Sequence, residues 1–185
     1  NLHTDTSNDN EVAILFINQG GSELIRVNCR GSSSNTILDH SYSASDSVSN
    51  GWTHFVCSWD RDNNTIGMYL NGAKVAASTS SISSFATTAN KMYIGKPGNA
   101  DNAFFQGHFS NLALFANVLT DVQATELYNN GKPLAMLEGN IKSRMNLRAW
   151  FILDETSGNF VDSTGSSIVG VPTNSPTQGT TDIPL

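Results

Sequence analysis

The run from Gly51 to Lys74, GWTHFVCSWDRDNNTIGMYLNGAK, constrains the fold more than any other part of this chain. Phe55, Cys57 and Trp59 recur at every second position of Trp52–Trp59, so an extended chain presents them on one face, as a strand with one buried side requires. Asp60–Asn64 is wholly polar and turns the chain. Thr65–Leu70 repeats the pattern with Ile66, Met68 and Leu70. Asn71-Gly72 follows, and both residues tolerate the positive φ of a type I′ hairpin turn. Lys74–Ala77 then returns, which makes the centre of the chain an antiparallel meander.

The flanking sequence extends this pattern. Glu11–Asn18 and Glu23–Arg30 read as a hairpin around Gln19–Ser22, and Thr36–Tyr42 as a short strand. Val75–Asn90 is small and polar and reads as a surface crossing beyond its first residues. Lys91–Gly95 is expected to be a strand, and Ala103–Ala116 a long strand bent at Gly107. One helix stands out. Thr120 and Gln123 have the spacing of a capping box, Val122, Ala124, Leu127 and Tyr128 follow, and Asn130-Gly131 ends the segment. Short strands separated by turns predict an all-β fold, an antiparallel jelly-roll sandwich of two packed sheets with one short helix near residues 120–129.

Composition narrows the function classes. Charged residues make up 14% of the chain, against about 25% in ordinary globular domains. The formal net charge is −6 and the ten Lys and Arg are scattered, which excludes a nucleic-acid partner because phosphate binders display a basic face. No apolar run approaches the roughly 18 residues of a membrane span, so membrane insertion is not expected. The chain opens on Asn1 rather than Met, which reads as a signal or a larger N-terminal portion lying upstream. Cys29 and Cys57 both fall on the apolar side of strand-like runs. They read as buried reduced thiols, with a disulfide between neighbouring strands as the alternative, and no zinc-type spacing accompanies them.

The series Trp52-Thr53-His54, Trp59-Asp60, Met68-Tyr69-Leu70-Asn71-Gly72, Tyr93-Ile94-Gly95, Phe105-Gln106-Gly107, Leu112, Leu114-Phe115, Leu119-Thr120 and Leu127-Tyr128 resembles a laminin G-like module. Such modules belong to the concanavalin A-like lectin and glucanase superfamily. The resemblance covers roughly residues 11–131 and implies two curved antiparallel sheets packed face to face. It does not imply one activity. Two departures bear on domain organisation. Only ten residues precede Glu11, so the domain, residues 1–131, is expected to lack its first strand or strands. Residues 146–170, within a C-terminal segment 132–185, resemble the opening of such a module at the wrong end of the chain. A strand near 147–153 is then a permuted strand, a strand donated to a neighbouring subunit, or the start of a second module, and Pro172–Leu185 an extended tail.

Enzymes of this fold look recognisable by a Glu-x-Asp-x-x-Glu cluster, because a retaining mechanism needs two carboxyl groups about 5 Å apart. The chain has no such cluster. Asp154 and Glu155 are adjacent, Asp121 and Glu126 belong to the helix, and His3, His40, His54 and His108 have no motif context, so no catalytic residue is assigned. His54 reads as a packed or rim residue beside Trp52. Ligand contacts are sought in two loops, through Asp60, Asp62, Asn63 and Asn64, and through Asn99, Asp101, Asn102 and Phe104. Amides and carboxylates can bond sugar hydroxyls beside an aromatic face, and calcium near Asp60, Asp62 or Asp101 is the candidate metal. Solvated turn chemistry explains the same Asp and Asn residues. Asn63-Asn64-Thr65 is a candidate glycan acceptor. Trp59 and Trp150 read as core. Trp52 stands nearest a rim, although core packing is still its expected role.

Three functions follow. The first is a non-enzymatic, lectin-like adhesion or decoration module of an extracellular or viral or phage surface assembly, binding carbohydrate. The second is a purely structural assembly module whose partners are other protein subunits or further copies joined through sheet edges. The third is an accessory domain of, or a degenerate, polysaccharide-active enzyme.

Overall fold

The structure, a computed structural model, describes residues 2–3, 11–19, 22–30, 35–42, 51–79, 91–95, 104–105, 107–132, 134 and 141–179. The chain divides into two compact units, residues 1–106 and 107–185.

The first unit is a two-sheet sandwich. β2 (Glu11–Gln19) and β3 (Ser22–Arg30) form the expected hairpin, in unbroken register from Glu11↔Arg30 to Gln19↔Ser22. β4 (Asn35–Tyr42) pairs with β3. β1 (Leu2–His3), supplied by the short stretch ahead of Glu11, lies between β2 and β8 (Lys91–Met92), giving the order β4-β3-β2-β1-β8. β5 (Phe55–Asp60), β6 (Thr65–Leu70) and β7 (Ala73–Ser78) make the antiparallel meander read from the sequence. Its turn residues Asn71 and Gly72 have φ of 48° and 79°, as a type I′ turn demands.

Alternation then decides the core. Val12, Ile25, Val27, Cys29 and Leu38 from the larger sheet meet Ile66 and Met68 from the smaller one, and Phe55, Cys57, Trp59 and Leu70 pack half-buried against this cluster as expected. Each fully buried aliphatic side chain here contributes about 1.5–3 kcal/mol relative to exposure. Both cysteines are free thiols lining this core. Burial pushes the Cys29 thiol up to about 12. Burial, and secondarily the proximity of Cys29, pushes Cys57 up as well, so both thiols are protonated and unreactive at neutral pH.

On the other face of the meander, the Tyr69 ring lies along the strand over Gly67. A Cβ at position 67 would stand 3.1 Å from Tyr69 Cε2 and 3.3 Å from its hydroxyl oxygen. Tyr69 is 3% exposed, and Lys74 Nζ sits 5.3 Å from its ring centroid. Gly67→Val is therefore expected to lift the ring and destabilise the unit by about 1–3 kcal/mol. Urea unfolding measures this, and an unchanged midpoint would show that the ring moves away at no cost.

In the second unit, β9 (Leu112–Phe115) pairs antiparallel with β10 (Leu147–Phe151), with a bulge between Leu147 and Ala149. Helix α1 (Asp121–Tyr128) has the expected capping box. Gln123 N–H donates to Thr120 Oγ1 at 3.3 Å, and Thr120 N–H donates to Gln123 Oε1 at 2.9 Å. Asn129, with φ of 47°, ends the helix. Leu119, Ala124, Leu127, Ile141, Met145, Leu147, Ala149 and Phe151 are the buried apolar residues of this stretch.

Several elements differ from expectation. Ala103–Ala116 is not one long strand. The described part is strand only at Leu112–Phe115, because Asn111 has a left-handed φ of 54° that an extended ladder cannot contain. The Lys91–Gly95 strand stops at Met92, and Gly95 turns the chain with φ of 81°. The strand near 147–153 ends at Phe151, ahead of Leu153 with φ of 65°. A second helical turn, α2 (Ile141–Arg144), and a small hairpin of β11 (Phe160–Val161) with β12 (Val169–Gly170) were not anticipated.

Candidate functional site

The chain entering β5 is clamped by the β6–β7 turn. His54 N–H donates to Asn71 Oδ1 at 3.0 Å, and Asn71 N–H donates to His54 O at 2.9 Å. These two bonds tie down the backbone just ahead of the strand, before its side chains enter the sandwich. Trp52, two residues further out, is 41% exposed, which corrects its expected core role. The strand ladder begins only at Phe55, so residue 52 lies beyond the region that the facing sheet covers. Trp59 packs against the core as expected. Trp150 is half-buried and donates its indole N–H to Asn111 Oδ1 at 3.2 Å.

Other aromatic rings gather at the same end of the sandwich. Phe16 lies 6.2 Å from Phe55, the first residue of β5, and 5.3 Å from Phe105 between ring centroids. Phe105 N–H donates to Gly95 O at 2.7 Å, which brings the 94–95 and 104–105 segments together. Phe16 faces inward by alternation but is 37% exposed, because it sits at the rim. Phe104 is 50% and Ile94 42% exposed. Exposed apolar groups collected at one end mark an interaction surface more often than scattered ones do. His54 is half-buried here, and burial holds its pKa below the ordinary value, so the imidazole is neutral at pH 7.

The Asp60–Asn64 loop sits at the opposite end of β5. Five residues of strand separate Phe55 from Asp60, about 17 Å at ~3.3 Å per residue. The Asp60 carboxylate therefore lies far from the rings at the start of the strand. Within the first loop, Asp60 Oδ1 accepts the N–H groups of Asp62 and Asn63 at 3.0 and 3.1 Å, and Oδ2 accepts Asn63 Nδ2–H at 2.6 Å. The Asn63 side chain, then its backbone, holds the Asp60 carboxyl below the usual range. Asp62 is exposed beside Arg61 at 3.4 Å, and Asn64 turns the chain with φ of 54°. This is self-satisfied turn chemistry. Of the second loop, Phe104 is described, whereas Asn99, Asp101 and Asn102 lie outside the described residues. Among the described residues no group of three His, Cys, Asp or Glu side chains is placed to hold a metal ion.

Sequence reasoning missed Trp52 and Phe16 as surface groups. The signal available for Trp52 was its position after Asn50-Gly51 and outside the alternating run. Phe16 carried no such signal.

Known proteins share this architecture. A laminin G-like family model, described as the concanavalin A-like lectin/glucanases superfamily, matches residues 1–125. No curated protein gives a significant match. Among solved structures, a putative carbohydrate binding protein from Bacteroides ovatus aligns over 100% of this chain and 53% of its own, with 21% identity and a TM-score of 0.58. The chain thus spans about half the length of that protein. An S-layer domain-containing protein from Clostridium thermocellum aligns over 68% of this chain and 67% of its own, with 16% identity and a TM-score of only 0.37. With more than half its length matched by the family model and a two-sheet antiparallel sandwich in its first unit, the chain belongs to the concanavalin A-like lectin/glucanase superfamily.

Proposed function

We propose that this chain is a non-enzymatic carbohydrate-binding module, displayed outside the cell or on a virus or phage particle as part of a larger assembly. The observation that carries the reading is the end of the first unit where Trp52, ahead of β5, and Phe16 and Phe104, beside the Phe16–Phe105 contact, remain exposed. Flat aromatic faces suit the apolar face of a sugar ring, and backbone and amide groups beside them suit its hydroxyls. The Bacteroides ovatus protein that shares the fold is itself named for carbohydrate binding, which points the same way.

Hydrolysis is not part of this reading. Among the described strand residues whose side chains are placed, Asp39 and Asp60 are the carboxylates. They stand on different strands, Asp39 bound to Arg26 and Asp60 committed to its own turn. No two of them face each other as acid and nucleophile.

Trp52→Ala is expected to weaken binding to polysaccharide about tenfold or more, roughly 1.4 kcal/mol. Thermal stability should stay within about 0.5 kcal/mol, since the side chain is largely exposed. Depletion assays on insoluble polysaccharides and a glycan array measure the first, and thermal melts the second. Chelating divalent ions should leave binding unchanged, because the Asp60 carboxylate is occupied by donors and lies far from the rings. No binding to any glycan, with or without calcium, sinks the proposal.

A second reading is protein–protein assembly, favoured by the β11–β12 hairpin, where Val161, Val169 and Val171 are 58%, 51% and 68% exposed. Light scattering on the full chain tests it. Strict monomers that also fail to bind the source particle or surface count against it.

A further inference from the structure

Resting on the assembly reading, we infer that two copies of this chain join edge to edge through β12, in an antiparallel pairing centred on Gly170. β12 pairs with β11 through Phe160↔Gly170 and Val161↔Val169, and among the described residues no strand pairs with its other edge. Asp162 N–H donates to Ile168 O at 3.3 Å, so Ile168 and Gly170 aim their backbone groups at β11. By the alternation of an antiparallel ladder, Val169 and Val171 aim theirs at the open edge. Pro172 has the parity of Gly170, so its missing N–H removes no donor from that edge, and it biases Val171 toward extended backbone. The bridge Phe151↔Asp162 and the bond from Ser163 N–H to Trp150 O tie the hairpin to β10 and hold the edge in place. Ile168–Val171 carries none of the usual protections of an exposed edge, a charge, a bulge or a proline aimed outward.

The occupant that fits this edge is the same edge of a second copy. Val169-Gly170-Val171 reads the same in both directions, so a two-fold axis through Gly170 sets Val169 opposite Val171 of the partner subunit. Both residues aim N–H and C=O outward, so each of the two symmetric pairs exchanges two hydrogen bonds. Gly170 meets its counterpart at the axis with no side chain to clash. Val161, Val169 and Val171 share one face of the hairpin and are all more than half exposed, and the pairing sets the valines of the two copies side by side. Charge favours the same seat. The net charge of −6 opposes contact between copies, yet Ser163–Thr181 holds no charged residue. A contact this short buries less than the roughly 800 Å² per partner of stable complexes, so the dimer is weak, with a Kd on the order of 0.1 mM.

Sedimentation velocity on the full chain, from about 0.01 to about 1 mM, tests this. The mass is expected to rise from monomer to dimer and stop there, because a two-fold pairing uses up both edges. Val169→Lys and Val171→Lys, which set an ammonium against an apolar neighbour, should each weaken dimerisation about tenfold or more in chains that melt like the parent. Val122→Lys, at an exposed valine of α1, should leave it unchanged. Cysteine pairing reads the register: a mixture of Val169→Cys and Val171→Cys in a glutathione redox buffer should form a disulfide-linked dimer with one chain of each, in clear excess over either variant alone. Dimers that survive both lysine substitutions, or that cross-link in another register, overturn the β12 edge and leave the assembly reading in place. A parent chain that stays monomeric at about 1 mM yet binds its source particle or surface does the same. A monomer that also fails to bind the source overturns both.

Discussion

Replacing Asp162 by alanine is expected to lower the stability of the second unit by about 3 kcal/mol or more. Asp162 is 5% exposed and accepts five hydrogen bonds. Trp150 N–H at 2.8 Å and Thr164 N–H at 3.0 Å donate to Oδ1; Thr164 Oγ1–H at 2.6 Å, Ser166 N–H at 3.1 Å and the Ser166 hydroxyl donate to Oδ2. The carboxylate thus ties the turn after β11 to strand β10, where the bridge Phe151↔Asp162 and the bond from Ser163 N–H to Trp150 O also form. Alanine removes the acceptor and leaves three backbone N–H groups without it. Asp162→Asn, which keeps one acceptor oxygen but turns an amide N–H₂ toward the other donors, should cost less than alanine but more than about 1 kcal/mol.

The same site predicts a pH dependence. Burial alone raises the Asp162 pKa, but the donors from Ser166, Thr164 and Trp150 outweigh it and hold the carboxyl far below the ordinary range. A depressed carboxylate contributes its full stabilisation above the unfolded value of about 3.9, and that contribution is lost as pH falls through the folded one. The gap between wild type and Asp162→Ala should therefore be constant from about pH 7 to pH 5 and shrink below about pH 4. Urea unfolding at a series of pH values measures it. A cost below about 1 kcal/mol at pH 7, or a gap that widens in acid, sinks this account.

Ile25→Ala is expected to destabilise the first unit by about 2–5 kcal/mol. Ile25 is 0% exposed on β3 of the larger sheet, paired with Phe16 on one side and His40 on the other. Its side chain belongs to the cluster shared with Ile66 and Met68 of the facing sheet. Two hydrogen-bonded sheets cannot collapse into a hole as a loop can, so the lost transfer energy and the cavity both count. A denaturation midpoint that moves by less than the equivalent of about 1 kcal/mol would mean that the sheets do not meet at Ile25.

The parts of this fold that were legible are those encoded by near neighbours. Period-two runs placed Phe55, Cys57, Trp59, Ile66, Met68 and Leu70 against the core, and the Thr120–Gln123 pair placed the helix start. The Ala103–Ala116 strand was misread because nothing local says that Asn111 takes a left-handed conformation. Asp162 was passed over for a similar reason. In the stretch DSTGS it looks like a solvated turn residue, and its role depends on the backbone of Trp150, twelve positions earlier in the chain.

The candidate site divided along the same line. Amides and carboxylates of Asp60–Asn64 were conspicuous as residue types, yet the loop spends them on itself. In the sequence Trp52 stands nearest a rim yet reads as core, Phe16 is conspicuous only as an apolar residue, and the structure leaves both exposed. By itself the sequence determined the β2–β3 hairpin, the β5–β7 meander and the capped helix, because alternation, Asn-Gly pairs and capping residues act over a few positions. Only the tertiary structure decided which aromatic rings remain at the surface and that the Asp60–Asn64 loop lies at the opposite end of β5 from them. Exposure and proximity depend on which distant strands cover a residue, and no local pattern carries that information.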